Sequence, residues 1–142
     1  MTSTRLPFRA LLLSLLSIMM TIMRAVPLYA ATDIKGRWSG TFVSNHSGVP
    51  PFTITVAINA NSRGRIVGSS DLTSHCLKSA QLEVTVTGSD VVLAGSDKDG
   101  NNMTIRGSLD NTGTLLKSSY ILNGSATGEC ETDDGTGTLT KQ

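Results

Sequence analysis

Hydrophobic and polar residues alternate with a period of two along most of the chain after residue 33. Phe52, Ile54, Val56 and Ile58 alternate with Thr53, Thr55, Ala57 and Asn59. Leu82, Val84 and Val86 alternate with Glu83, Thr85 and Thr87. Met103, Ile105 and Leu109 alternate with Asn102, Thr104, Arg106 and Ser108. Period two is the signature of a strand with one buried and one solvated face, and threonine on the outer phase suits that face. Turn residues punctuate the runs: Asn61-Ser62-Arg63-Gly64, Gly88-Ser89-Asp90, Asp97-Lys98-Asp99-Gly100-Asn101 and Asp110-Asn111-Thr112-Gly113. The pattern predicts eight strands, over 34–44, 52–60, 65–72, 79–87, 91–96, 102–109, 114–122 and 135–141.

Short turns between consecutive strands imply antiparallel neighbours. Eight such strands remove their open edges by closing into an up-and-down barrel. A β-sandwich is the alternative, but its Greek key needs a long crossover, and only 123–134 is long enough at the C-terminal end. The expected fold class is therefore all-β, an eight-stranded antiparallel barrel. A short motif recurs within it: Trp38-Ser39-Gly40, Ile66-Val67-Gly68, Leu93-Ala94-Gly95 and Ile105-Arg106-Gly107. Each glycine shares the phase of the large residue, as at a corner or a close backbone approach in a small barrel.

Residues 1–30 interrupt this picture and read as a secretory signal peptide. Arg5 and Arg9 form a positive start, Ala10–Met23 is an apolar run, and Leu28-Tyr29-Ala30 is a cleavage site. The apolar run is about 14 residues, short of the ~20 that span a bilayer. Cleavage leaves a single domain over 31–142 with no membrane span. The three arginines of the leader go with it, which leaves nine Lys or Arg against eleven Asp or Glu. A net charge of −2 argues against a nucleic-acid partner, which needs a basic stripe. The expected localisation is exported, periplasmic or secreted.

Cys76 and Cys130 are the only cysteines. In an exported chain an even count favours a disulfide. The bridge would close a loop of roughly 54 residues and stabilise the domain by about 4 kcal/mol.

The segment Ile34-Lys35-Gly36-Arg37-Trp38-Ser39-Gly40 carries the Gly-x-Trp that resembles the opening strand of calycin-type barrels, the lipocalins and avidins. The stretch through Asn61-Ser62-Arg63-Gly64-Arg65-Ile66-Val67-Gly68 is similar to the avidin order of strand, strand, tight turn, strand. The resemblance implies that Trp38 plugs the closed end of a barrel. Avidins bind biotin between several tryptophans and this chain has one, so biotin binding is not implied. The mature chain also resembles small exported bacterial proteins of unassigned function, with Gly-x-Trp-x-Gly at the start, a cysteine in each half and a terminal Gly137-Thr138-Leu139-Thr140. A third resemblance, to small periplasmic metalloprotease inhibitors, points to the N-terminal segment Ala31-Thr32-Asp33-Ile34.

Chemistry-bearing residues are few. His75 adjoins Cys76 without further ligands spaced for a metal. His46 lies in a polar loop before Pro50-Pro51, and neither G-x-S-x-G nor S-x-x-K is present. Asp97 to Asn102 is similar to the start of a calcium loop, but Gly100 is at position 4 rather than 6, and a hairpin suffices. Asp133-Asp134-Gly135 reads as a turn. No catalytic residue, metal or cofactor is assigned, and an enzyme is not expected. The inward candidates are Trp38, Phe42, Phe52, Ile54, Val56, Ile105, Leu116 and Tyr120. Of these, Trp38, Phe42, Ile54, Ile105 and Tyr120 would face a ligand if the barrel were hollow, although a filled core is preferred. Three functions follow as expectations. The first is a non-enzymatic surface-binding module for an unknown protein or envelope component. The others are a carrier of a small apolar ligand and an inhibitor of an envelope or secreted hydrolase.

Overall fold

The computed structural model describes residues 33–73, 75–126 and 130–142. The signal peptide expected over 1–30 lies outside the described residues. Eight strands follow one another: β1 (Gly36–Ser44), β2 (Phe52–Ala60), β3 (Ile66–Thr73), β4 (Ser79–Thr87), β5 (Asp90–Ser96), β6 (Asn102–Leu109), β7 (Leu115–Asn123) and β8 (Asp133–Lys141). Each pairs antiparallel with the next, and β8 pairs with β1 to close the barrel. The barrel, rather than the sandwich, is the fold.

Period two sets the inside and the outside. Phe52, Ile54, Val56 and Ile58 of β2 are almost fully buried, while Thr53 and Asn59 are exposed. Trp38, Phe42, Leu93, Met103, Ile105, Leu116, Tyr120 and Leu139 join them in one continuous core. All four aromatic residues after residue 30 face inward, which spends the largest apolar side chains where burial is worth most.

The repeated glycines hold the walls together. A Cβ on Gly40 would lie 1.9 Å from the Thr138 carbonyl oxygen, and one on Gly95 would lie 1.8 Å from that of Gln81. At both positions the neighbouring backbone occupies the space a side chain needs. Gly68 differs, because its nearest neighbour would be at 3.4 Å, an ordinary contact. Gly135 and Gly137 serve the aromatics. They pair across strands with Tyr120 and Phe42, whose rings cover them.

The two ends of the barrel differ. One end carries the tight connections 61–65, 88–89 and 110–114. Gly88 opens the shortest of these with φ 62°, the positive value required at the start of a primed two-residue hairpin. Trp38 closes this end: its Nε1–H donates to the Ile34 carbonyl at 2.9 Å. The Lys141 ammonium lies 5.7 Å from the Trp38 ring centroid and donates to the Asp33 carbonyl at 2.7 Å. The other end carries the connections 45–51, 74–78, 97–101 and 124–132.

One boundary changes the chemistry. β8 begins at Asp133, not at Gly135, so Asp133-Asp134-Gly135 is strand rather than turn. Asp133 pairs with Leu122 and points inward.

Candidate binding site at the long-loop end

Beneath the long loops lies an aromatic layer. Phe42 and Phe52 are cross-strand partners with ring centroids 5.8 Å apart and nearly parallel planes. Tyr120 meets both edge-on, at 5.6 Å from Phe42 and 5.2 Å from Phe52. The His75 ring packs against Phe52, with centroids 4.3 Å apart.

Above that layer the carboxylate of Asp133 is held by two hydroxyls. Tyr120 donates to Oδ2 at 2.5 Å and Ser44 donates to Oδ1 at 2.5 Å. The Ser44 hydroxyl in turn accepts from the His46 backbone N–H at 2.9 Å. Asp133 is 7% exposed. Burial raises the Tyr120 pKa above the ordinary phenol range, and donation to Asp133 raises it further, so the phenol stays protonated. The next residue, Asp134, points outward. It accepts from the Asn45 side chain at 2.6 Å and pairs with His46 Nε2 at 2.9 Å. The Asn45 side chain and His46 hold this carboxyl below the usual carboxylate range.

The connections are cross-braced. A disulfide joins Cys76 in 74–78 to Cys130 in 124–132, with Cα atoms 5.3 Å apart. The expected bridge is formed. The His75 Nδ1 accepts from the Leu77 backbone N–H at 3.1 Å, which suits a neutral ring with its proton on Nε2. Burial pushes the His75 pKa down, opposed by the Asp133 charge. The 97–101 connection is organised around Asp97, whose Oδ1 accepts from the backbone N–H groups of Asp99 and Asn101 at 2.9 Å. Its Oδ2 accepts from the Asn101 side chain at 2.7 Å, and Asn101 Oδ1 accepts from the Ser125 N–H at 2.9 Å. The oxygens of Asp97 thus serve the loop's own amides and the Asn101 side chain, as in a hairpin.

The connections 45–51, 75–78 and 130–132, with the ends of β7 and β8, line an open cleft of about 380 Å³. Its wall includes His46, Val49 and Pro50 from 45–51, and His75 and Cys76 from 74–78. Glu131 and Asp133 complete it, with Leu122 at the end of β7. The volume is within the range of small-molecule sites, which are common at the mouths of β-barrels.

Of the residues expected to face a ligand, Trp38, Phe42, Ile54 and Ile105 lie in the core and are at most 1% exposed. None forms part of the cleft wall. Tyr120 reaches the site only through its hydroxyl on Asp133. The two histidines do line the cleft, whereas Asp133 and Leu122 are new to it. Continuing the inward phase of β8 from Leu139 through Gly137 and Gly135 leads to Asp133. That phase was the signal, and the turn propensity of Asp-Asp-Gly masks it.

The Ser44 hydroxyl is turned to a carboxylate and not to an imidazole. Among the described residues, one set of three metal-ligating atoms converges within 4.8 Å: His75 with the sulfurs of Cys76 and Cys130. Both sulfurs are consumed by the disulfide. No family model, curated protein or solved structure matches this chain.

Proposed function

We propose that the protein is an exported, non-enzymatic binding module that engages a protein or envelope component through the long-loop end of its barrel. One observation carries this reading. The cross-braced cleft opens at that end, while the opposite end is closed by Trp38 and tight hairpins. Loops on a rigid scaffold are where binding residues concentrate. A disulfide between two of those loops supports an oxidising destination, periplasmic or secreted, in keeping with a cleavable segment over 1–30. The closed meander with a tryptophan at one end is the architecture expected of a calycin-like barrel.

The test is a map of amide shifts on titration with solubilised cell-envelope components. Shifts confined to 45–51, 75–78 and 130–134 are expected. Shifts confined to 61–65, 88–89 and 110–114 would place binding at the wrong end and end this reading.

A further inference from the structure

Asp133 is the most unusual residue of the cleft. Its carboxylate is buried inside the mouth of the barrel, and among the described residues both hydrogen bonds it receives come from neutral hydroxyls. Among the described residues no lysine or arginine pairs with it: Lys35 pairs with Asp33, Arg65 with Glu83 and Lys98 with Asp99. Every buried polar side-chain atom among the described residues has a hydrogen-bond partner. The carboxylate is thus satisfied in hydrogen bonds yet uncompensated in charge. Buried charges are ordinarily paired.

The surroundings narrow what could pair with it. Glu131, on the same wall, adds a second carboxylate at the exposed rim. Among the described residues the wall has no lysine or arginine, which disfavours an anion. His46 is engaged by Asp134, and His75 spends Nδ1 on the Leu77 amide. An uncharged apolar ligand would displace water from Asp133 and leave its charge with no counterion. Among the described residues the one convergent ligand set has its sulfurs in the disulfide, which leaves no metal site there.

We infer that the cleft takes a primary ammonium group on an aliphatic stem, with the cation on Asp133 and the stem against Val49, Pro50 and Leu122. This rests on the reading of the long-loop end as the binding end. The form of the cation follows from the geometry. A carboxylate offers about four acceptor positions, of which the two hydroxyls use two, so a compact ammonium still finds acceptors. A guanidinium prefers the open edge of a carboxylate, and here each oxygen is already held. A quaternary ammonium prefers an aromatic cage, and among the described residues no Trp, Tyr or Phe lines this wall. The same group could arrive as a free alkylamine or as the lysine side chain of a partner.

The experiment titrates the oxidised, isotope-labelled protein with n-hexylammonium, n-hexanol, hexanoate and Nα-acetyl-lysine amide at constant ionic strength. At least one of the two ammonium probes is expected to bind at least tenfold more tightly than hexanol, with shifts at 45–51, 75–78 and 130–133. Hexanoate is expected to leave those amides unmoved. The tighter ammonium probe identifies the source, free amine or lysine. Asp133→Asn should lose at least tenfold in ammonium affinity. Glu131→Gln, at an exposed position that leaves the fold intact, should lose two- to threefold. Hexanol binding as tightly as both ammonium probes at those amides overturns the ammonium inference but leaves the long-loop end as the binding end. Binding by none of the probes also overturns it. Ammonium-selective shifts at 61–65, 88–89 and 110–114 overturn both.

Discussion

Asp133 links the core to the cleft through a single hydroxyl. Tyr120 contributes its ring to the aromatic layer and its O–H to the carboxylate. Tyr120→Phe keeps the first contribution and deletes the second. A buried carboxylate oxygen then loses its donor, which costs about 1–3 kcal/mol. A urea titration should show a lower midpoint with an unchanged slope, since the surface buried on folding hardly changes. A midpoint equal to that of the parent would mean that solvent replaces the phenol and that Asp133 is wetter than its burial indicates. The same residue marks the limit of local reading. Asp-Asp-Gly favours a turn when only neighbours in sequence are considered. Backbone pairing with β1 and β7 makes it a strand, and the hydroxyls that hold the Asp133 carboxylate come from Ser44 and Tyr120, 89 and 13 residues away.

At the scale of strands, the repeated glycines make a prediction with an internal control. Gly95→Ala would place a methyl group 1.8 Å from the Gln81 carbonyl oxygen, so β4 and β5 must separate. Overpacking of this kind costs about 1–3 kcal/mol or more. Gly68→Ala meets only ordinary contacts and has no positive φ. It should be neutral or stabilising by up to ~1 kcal/mol, because alanine has less freedom to lose on folding. Thermal unfolding of the two variants separates them by several degrees in a domain of this size. Equal midpoints would show that the walls yield easily. The strands themselves were legible in the sequence, because alternation is a local property and each run carries several turns of it. The motif Trp-x-Gly and its relatives were legible as corners, but which glycines touch backbone depends on register with the next strand. Gly68 shares the motif and lacks the contact. The cleft was less legible still, because 45–51, 74–78 and 124–132 meet only after the barrel closes.

For the whole molecule, the disulfide carries much of the stability. Replacing Cys76 and Cys130 together by serine frees a loop spanning 54 residues, which costs about 4 kcal/mol in the chain-entropy account. A domain of this size has roughly 5–15 kcal/mol in total. The double variant should still fold at 25 °C but with a much lower denaturant midpoint. Its fastest hydrogen exchange should be at 75–78 and 130–133. Exchange that quickens uniformly over the barrel would instead assign the bridge a global role alone.

Titration acts on the same molecule in three windows, each with its own sign. Burial holds the His75 pKa below its ordinary 6.5. Below that pH the unfolded chain takes up a proton that the folded ring resists, so stability falls as pH drops beneath about 6.5. Asp110 and Asp134 are held below the usual carboxylate range by hydrogen bonds, from Thr112 and the Leu115 amide and from Asn45 and His46 respectively. Burial would raise Asp97, but the Asn101 side chain and the amides of Asn101, Asp99 and Gly100 outweigh it and lower it too. Their contribution is complete above about pH 4 and is lost as pH falls through the folded values. Tyr120 runs the other way. Its raised pKa means that the unfolded chain ionises first, so stability falls again above about pH 10. Denaturant midpoints from pH 3 to 11 should therefore form a plateau between roughly 7 and 9.5, with a stepped acid side. His75→Gln should remove the first acid step and leave the lower one. Tyr120→Phe should flatten the alkaline side while lowering the plateau. An acid side unchanged by His75→Gln would mean that the ring is hydrated in the folded state, and that the wall of the cleft beside Phe52 is open to water.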